Sequence, residues 1–361
     1  MARIVTVYLG TRRLPRMVDM SMIRWWRMST ALAGHGHDVD IATNEWRWVL
    51  GRRPRPICPG LRVVPLSGID WSRYDVVKTL FHLGFSTLRR HGGHDHPFVI
   101  SKLGSVVAND DREGILFHGE VRRRLYAIQQ EIASASRYVT VLSRPAETLW
   151  VEAFGDAGRL LLVPGAVDAH IPPPGPSPFG AIGGKICLFS GNIYDERTQP
   201  QANAVLCDKL NRLGRLLARK GMRVVFQGGG DTHRIDRTAV ICVAPCDYER
   251  SWDSLHHADV GVVVTGGGRM HNNESTKIYH YLRAGLPTVV EEGFPNDDVV
   301  RESGLGFVVP NGDIEALSRQ VLAAASHPWN RAAAVDYVLR RHTWDVRASV
   351  YDGVIRRHLA Q

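Results

Sequence analysis

Residues 271–290 read HNNESTKIYHYLRAGLPTVV, and four local signals divide them into loop, helix, turn and strand. Asn272, Asn273 and Ser275 carry side chains that accept from free helical N–H groups, so they place a helix start just ahead of Thr276. The helix runs to about Arg283. Gly285 stands where a helix C-cap needs positive φ, and Pro287 has no N–H with which to continue. The β-branched run Thr288-Val289-Val290 then fits a buried strand. A helix that opens at the carboxyl end of a strand aims unpaired N–H groups and the positive end of its dipole at one spot, which makes an anion site. Lys277 adds a full charge in the first turn. On these residues alone, an ordinary βαβ unit with a surface lysine stands beside the anion-site reading.

The flanking chain alternates in the same way. Upstream lie a strand at 185–190, a helix at 201–220, strands at 223–226 and 240–243, a short helix at 252–257 and a strand at 259–264. Downstream come residues 304–310 and further helices. The first half opens with a strand at 3–9, a helix at 18–34 and the turn Gly36-His37-Asp38-Val39 into a strand at 39–43. Strands at 61–66, 75–81, 98–103, 138–142 and 160–163 follow, with helices at 121–135 and 146–153. This alternation predicts an α/β chain with two Rossmann-like, doubly wound domains. Residues 164–184, dense in Pro and Gly, read as a linker between a domain at 1–163 and another at 185–342. In the last segment, 343–359, Trp344, Ala348, Tyr351, Ile355 and Leu359 recur at spacings of three and four. They form the apolar face of a helix that needs a surface to cover.

Composition sets the outer bounds. A chain of 361 residues exceeds one core of ordinary size, so two domains are expected. At 44% hydrophobic and 22% charged residues it is an ordinary globular sequence. The opening MARIVTVYL is a strand followed by Arg12 and Arg13, unlike a secretory leader, and no 18-residue apolar run exists. The expected location is therefore the cytoplasm. Five scattered cysteines without CxxC spacing read as reduced core thiols. The net charge of +9 is uneven: residues 1–165 hold 23 Lys+Arg against 15 Asp+Glu, whereas the rest is nearly balanced. A basic first half points to an anionic partner there, or to solvation alone.

Three segments of the second half match a known pattern. After the strand at 185–190 comes Gly191-Asn192, with Arg197 six positions beyond Gly191. Next is Val243-Ala244-Pro245-Cys246-Asp247-Tyr248. The most specific is Lys277 through Pro287, where Lys277, Tyr281, Leu282, Ala284, Gly285 and Pro287 fit K-x-x-E-Y-L-x-A-G-x-P. On these residues the chain resembles a GT-B glycosyltransferase, and more narrowly the retaining group 1 transferases (glycosyltransferase family 4). The resemblance implies a nucleoside-diphosphate sugar as donor co-substrate in the C-terminal domain and an acceptor in the N-terminal one. It also implies a last helix that packs back onto the first domain, retention of configuration, and no metal or other cofactor. By the same resemblance Arg197 and Lys277 clamp the donor diphosphate with Gly191, Asn192, Ser275 and Thr276, while Ala244 and Pro245 lie at the nucleobase. The family's paired glutamates fall on Asn272 and His280. Imidazole can still bind a ribose hydroxyl, and Glu274, beside Asn273, is the nearest carboxylate that could stand in at the sugar.

Other candidates carry two readings each. His118, ahead of a helix in the acceptor half, is an acid, base or acceptor ligand, or else a structural histidine. His91, His94 and His96 tempt a metal reading, but a Gly-rich loop without cysteine favours a structural one. Gly228-Gly229-Gly230 reads as a turn, and Gly266-Gly267-Gly268 as a place where backbone can approach a donor. Trp25-Trp26 between Arg24 and Arg27, and Trp46 and Trp48 ahead of Arg52 and Arg53, suit a sugar-stacking acceptor site or a membrane interface as well as burial. The expected acceptor is thus anionic or lipid-linked, with peripheral membrane contact through the basic half; nucleic acid is not expected. A non-catalytic nucleotide-sugar binder and a nucleotide-sugar epimerase share this architecture.

Overall fold

Alternating strands and helices build two parallel sheets, seen in a computed structural model that describes residues 1–8, 20–44, 54–110, 119–155, 157–180, 182–267 and 272–360. Contacts group the chain into two compact units, Met1–Ala166 with Thr343–Gln361, and Val167–His342. His118, the loop at 10–15, the Trp46/Trp48 cluster and Gly268 lie outside the described residues.

The first unit holds β1 (Arg3–Val7), α1 (Met20–Gly34), β2 (Asp38–Thr43), β3 (Arg55–Cys58), β4 (Leu61–Pro65), β5 (Val76–Leu80), α2 (Phe81–Arg90), β6 (Val99–Lys102), α3 (Gly119–Ala135), β7 (Tyr138–Val141), α4 (Arg144–Phe154) and β8 (Leu160–Leu162). Its strands lie in the order β3-β4-β2-β1-β5-β6-β7-β8, parallel throughout except for β3 at the edge. Pro56 sits in that edge strand, where a missing ladder N–H is tolerated. Phe81, expected to end a strand, instead opens α2 with φ 58, a left-handed backbone that a bulky residue seldom adopts.

The second unit follows with β9 (Lys185–Ile193), α5 (Pro200–Ala218), β10 (Met222–Gly230), β11 (Val240–Val243), α6 (Tyr248–His257), β12 (Val260–Val263), α7 (Thr276–Arg283), β13 (Thr288–Glu291), α8 (Asp298–Ser303), β14 (Gly306–Val309), α9 (Ile314–Ala324) and α10 (Arg331–Arg341). All six strands are parallel, in the order β11-β10-β9-β12-β13-β14. One face packs Phe189, Val224 and Phe226 against α5 and α9. The other packs Leu188, Val225 and Val263 against α6 and α7. Residues 164–184 are more than a spacer. Val167 and Phe179 are buried in this second core, Trp252 Nε1 donates to Pro172 O at 3.0 Å, and Arg283 donates to His170 O. Two apolar anchors suffice to pin a chain whose prolines already limit its freedom.

The last helix, α11 (Trp344–Leu359), belongs to the first unit. Trp344, Ala348, Tyr351 and Ile355 are buried, whereas Leu359 is exposed. Tyr351 Oη and Thr140 Oγ1 are 3.0 Å apart, and Arg347 donates to Gly165 O at 3.0 Å. His37, in the Gly-His-Asp turn, accepts at Nδ1 from Ala2 N (3.2 Å) and donates from Nε2 to Asp352 (2.9 Å). That pair of bonds fixes one neutral tautomer, and burial lowers its pKa.

Candidate functional site

In the second sheet the strand order reverses between β9 and β12, and a parallel sheet leaves a crevice for ligands at the carboxyl ends of such a pair. α7 opens there. Its start, Ser275, does not cap the helix with its hydroxyl; its backbone is instead held by Asn296, which accepts from Ser275 N and donates to Ser275 O, both at 3.0 Å. The Ser275 hydroxyl thus leaves the first-turn N–H groups, Thr276 among them, uncapped. The other end matches expectation: Gly285 has φ 65 and the chain turns into β13.

Lys277 lies across the end of β9. A Cβ added to Gly191 would stand 2.5 Å from Lys277 Cε and 2.9 Å from Nζ, so only glycine admits this side chain. The ammonium sits 5.1 Å from the centre of the Phe189 ring and has no carboxylate partner among the described residues. Burial lowers its pKa to about 8. Helix and strand are locked together by Tyr281, whose Oη accepts from Ser190 N at 2.8 Å. Its ring occupies the space a side chain on Gly261 would need. The product is a cation without a carboxylate partner among the described residues, and a helix N-terminus, beside the glycine end of a strand.

Beyond Gly191, β9 continues as strand through Asn192 and Ile193, paired with Gly229 and Gly230 of β10. The three glycines 228–230 are thus strand residues, and Gly228 and Gly230 leave no room for a Cβ against the β9 carbonyls. Arg197 is exposed, and its backbone N donates to Asp195 Oδ1 at 2.8 Å. This loop is tied to the one after β10. His233 joins Asp231 Oδ1 (2.7 Å) to Glu196 Oε2 (2.9 Å), Arg234 Nε reaches Glu196 Oε1 at 2.9 Å, and buried Asn203 donates to Tyr194 O and Asp231 O. Glu196, Asp231 and His233 have ligand atoms within 4.8 Å of one another, a set that could hold a metal, yet here they are engaged with each other and with Arg234. The sequence reading missed them because the three come from two separate loops.

A second feature escaped it as well. Lys209, on α5, donates to Glu291 Oε2 (2.7 Å), Thr265 Oγ1 (2.9 Å) and Asn311 Oδ1 (3.0 Å). Glu291 is fully buried and also accepts from Thr265 N and Gly312 N. Thr265 Oγ1 in turn donates to Gly267 O at 2.6 Å. A buried ion pair with several hydrogen bonds is rigid, and this one holds the Gly267 carbonyl through Thr265.

The remaining candidates are placed as follows. Glu274 accepts from Tyr279 Oη of α7 at 2.7 Å, and no described contact joins it to Lys277. Asn272 is fully buried and Asn273 partly so. His280 stands edge-on to Tyr248, ring centres 5.4 Å apart, and its buried Nε2 has no partner among the described residues. Burial, then the Arg283 charge, pushes its pKa down to about 3, so it is neutral at working pH. Ala244 and Pro245 follow β11 as irregular chain ahead of α6. In the first unit, His96 Nε2 binds Tyr74 O and Nδ1 accepts from Phe98 N, while His94 faces Asp95, so these histidines have separate partners. Trp25 is buried and donates to Thr6 Oγ1 at 2.9 Å.

No protein-family model and no curated protein matches the chain by sequence. Solved structures do match by shape over its whole length. Sucrose-phosphate synthase from Thermosynechococcus elongatus aligns at TM-score 0.69 with 15% identity, covering 100% of both chains. AviGT4, a glycosyltransferase involved in avilamycin A biosynthesis, aligns at 0.64 with 17% identity, covering 100% of this chain and 98% of that one. Anabaena Alr3699/HepE, in complex with UDP, aligns at 0.66 with 11% identity, covering 99% and 100%. The fold is therefore GT-B, the two-domain Rossmann-like architecture of glycosyltransferases.

Proposed function

We propose that the protein is a glycosyltransferase that moves a sugar from a nucleoside-diphosphate sugar to an acceptor. The observation that carries this reading is the Lys277 ammonium laid over Gly191 at the open end of α7, without a counter-ion among the described residues. A diphosphate supplies the missing negative charge. Departure of the nucleoside diphosphate builds charge on its outer phosphate, and a fixed cation aimed there stabilises the transition state more than the ground state. The first-turn N–H groups of α7 add their dipoles, and Arg197, exposed on the loop after β9, is free to close on the same phosphates. His280 offers a neutral imidazole for a ribose hydroxyl, and 244–245 offer backbone groups to the base. Retention of configuration and hexosyl transfer without a metal follow the group 1 resemblance; the acceptor is held by the basic first domain and is anionic or lipid-linked. No helix among the described residues is long and apolar enough to cross a membrane, so a lipid acceptor would be met at its surface.

The test is turnover of UDP-, GDP-, ADP- and dTDP-sugars with and without a lipid-phosphate acceptor. Acceptor-dependent release of nucleoside diphosphate by the wild type, reduced at least tenfold in Lys277→Met, is the expected result. One observation favours a second reading: Glu274 is bound to Tyr279, and Asn272 and His280 stand where the family pattern has glutamates. A protein that binds nucleotide sugars in the same assay without turning any over would be the non-catalytic alternative.

A further inference from the structure

Gln227 is the last large side chain on β10 before the glycines, 5% exposed, and points to the face that carries α6 and α7. Its amide nitrogen lies 3.3 Å from Cys246 Sγ, and its amide oxygen is buried without a partner among the described residues. Turning the amide over exchanges the two atoms but leaves one unsatisfied. Gln227 pairs in register with Ser190 and Val243, so it stands between the strand that carries Lys277's glycine and the segment 244–247. His280 Nε2, also buried and without a partner among the described residues, belongs to the same face, its ring edge-on to that of Tyr248. A folded chain rarely leaves two polar atoms of one small region unmade. An apolar residue at 227 would pack against the same neighbours with nothing left over, so packing does not account for an amide here.

We infer that Gln227 reads the nucleobase of the donor: its free amide atom bonds the hydrogen-bonding edge of the base, beside Cys246. The inference rests on the nucleotide-sugar reading of this site and adds to it the residue that selects among bases. An amide presents an acceptor beside a donor, the complement of a base edge with an N–H next to a ring or carbonyl acceptor. Cys246 stays a protonated thiol, because burial raises its pKa, so it competes only weakly for the amide.

Titration calorimetry with UDP, N3-methyl-UDP, GDP, ADP and inorganic pyrophosphate tests this on the wild type, Gln227→Met and Gln227→Glu. Methionine matches the length of glutamine without its amide. The expected result is that Gln227→Met weakens the best nucleoside diphosphate about tenfold, narrows the preference among bases, and leaves pyrophosphate binding unchanged. Gln227→Glu, an acceptor only, should reorder the preference. If UDP is the best binder, methylation at N3 should cost the wild type about tenfold and cost Gln227→Met little. An unchanged ranking of bases in both variants, or an equal loss for pyrophosphate and nucleotides, overturns the inference while leaving the nucleotide site standing. A wild type that binds pyrophosphate but prefers no nucleoside diphosphate overturns the nucleotide reading itself.

Discussion

Lys277 makes diphosphate binding depend on pH in a direction that can be worked out. In the free protein burial holds its pKa near 8, against 10.5 for an exposed lysine. A bound diphosphate replaces the lost solvation with a double negative charge and returns the pKa toward its ordinary value. Below pH 8 the lysine is charged before the ligand arrives, and affinity is at its maximum. Above pH 8 the complex must take up a proton, so affinity falls by as much as tenfold per pH unit. Between pH 7 and 9.5 linkage gives a loss of roughly 30-fold, or about 2 kcal/mol. Calorimetry with UDP in two buffers of different ionisation enthalpy reads both quantities: proton uptake near zero at pH 7, about half a proton at pH 8, and nearly one at pH 9.5. The ligand's terminal phosphate, with a last pKa of about 6, is about 90% ionised at pH 7 and more above it, and His280 is neutral throughout. Lys277→Met should bind more weakly at pH 7 and show no such slope. Equal affinity at pH 7 and 9.5 without proton uptake, or a slope that survives in Lys277→Met, would falsify the placement of this ammonium at the diphosphate.

Three further outcomes are expected. Gly191→Ala places a methyl 2.5 Å from Lys277 Cε at φ 143, so it should weaken pyrophosphate and UDP at least tenfold with an unchanged far-ultraviolet dichroism spectrum; wild-type affinity would show that the lysine lies elsewhere. Lys209→Met strips the partner from buried Glu291 and should destabilise the second unit by about 3–5 kcal/mol in urea unfolding, whereas a loss under 1 kcal/mol would mean that solvent reaches the carboxylate. Lys78, buried in β5 under the Tyr351 ring and near Arg24, has its pKa lowered to about 7 by burial first and Arg24 second. The native state sheds this proton before the unfolded chain does, so stability should rise between pH 7 and 10.5, and Lys78→Met should raise the melting temperature most at or below pH 7, by a stability gain on the order of 3 kcal/mol; a variant that melts lower at every pH would refute the burial cost.

The focal helix was legible because its signals are local. Ser275, Gly285 and Pro287 act within a turn of their own positions, and α7 and β13 fall where those residues put them. The glycines that end β10 were not legible as strand, because their fit depends on β9 carbonyls nearly 40 residues away. Lys209 and Glu291 are 82 residues apart and look like surface charges on a helix and at a strand end until tertiary packing buries them together. Glu274, offered to the crevice by spacing alone, accepts from Tyr279 five residues on, a bond that the sequence pattern does not announce. Gln227 carried no pattern at all; its buried amide oxygen, without a partner among the described residues, is visible in the folded chain alone.

The return of α11 to the first unit has a consequence for how the polypeptide can be cut. Val167 N donates to His342 O at 2.9 Å, so the second unit begins and ends at neighbouring points. In topological terms it is an insertion into the first, and its two termini are already joined by a backbone hydrogen bond. Residues 167–342 can therefore be excised as one piece, and the flanking ends of the first unit spliced, without drawing either end across a sheet. Shortening the chain from its C-terminus does something else: it removes Trp344, Tyr351 and Ile355 from the core of the unit that was synthesised first. That unit completes its core only with residues translated after the second unit, so its folding awaits the whole of the other.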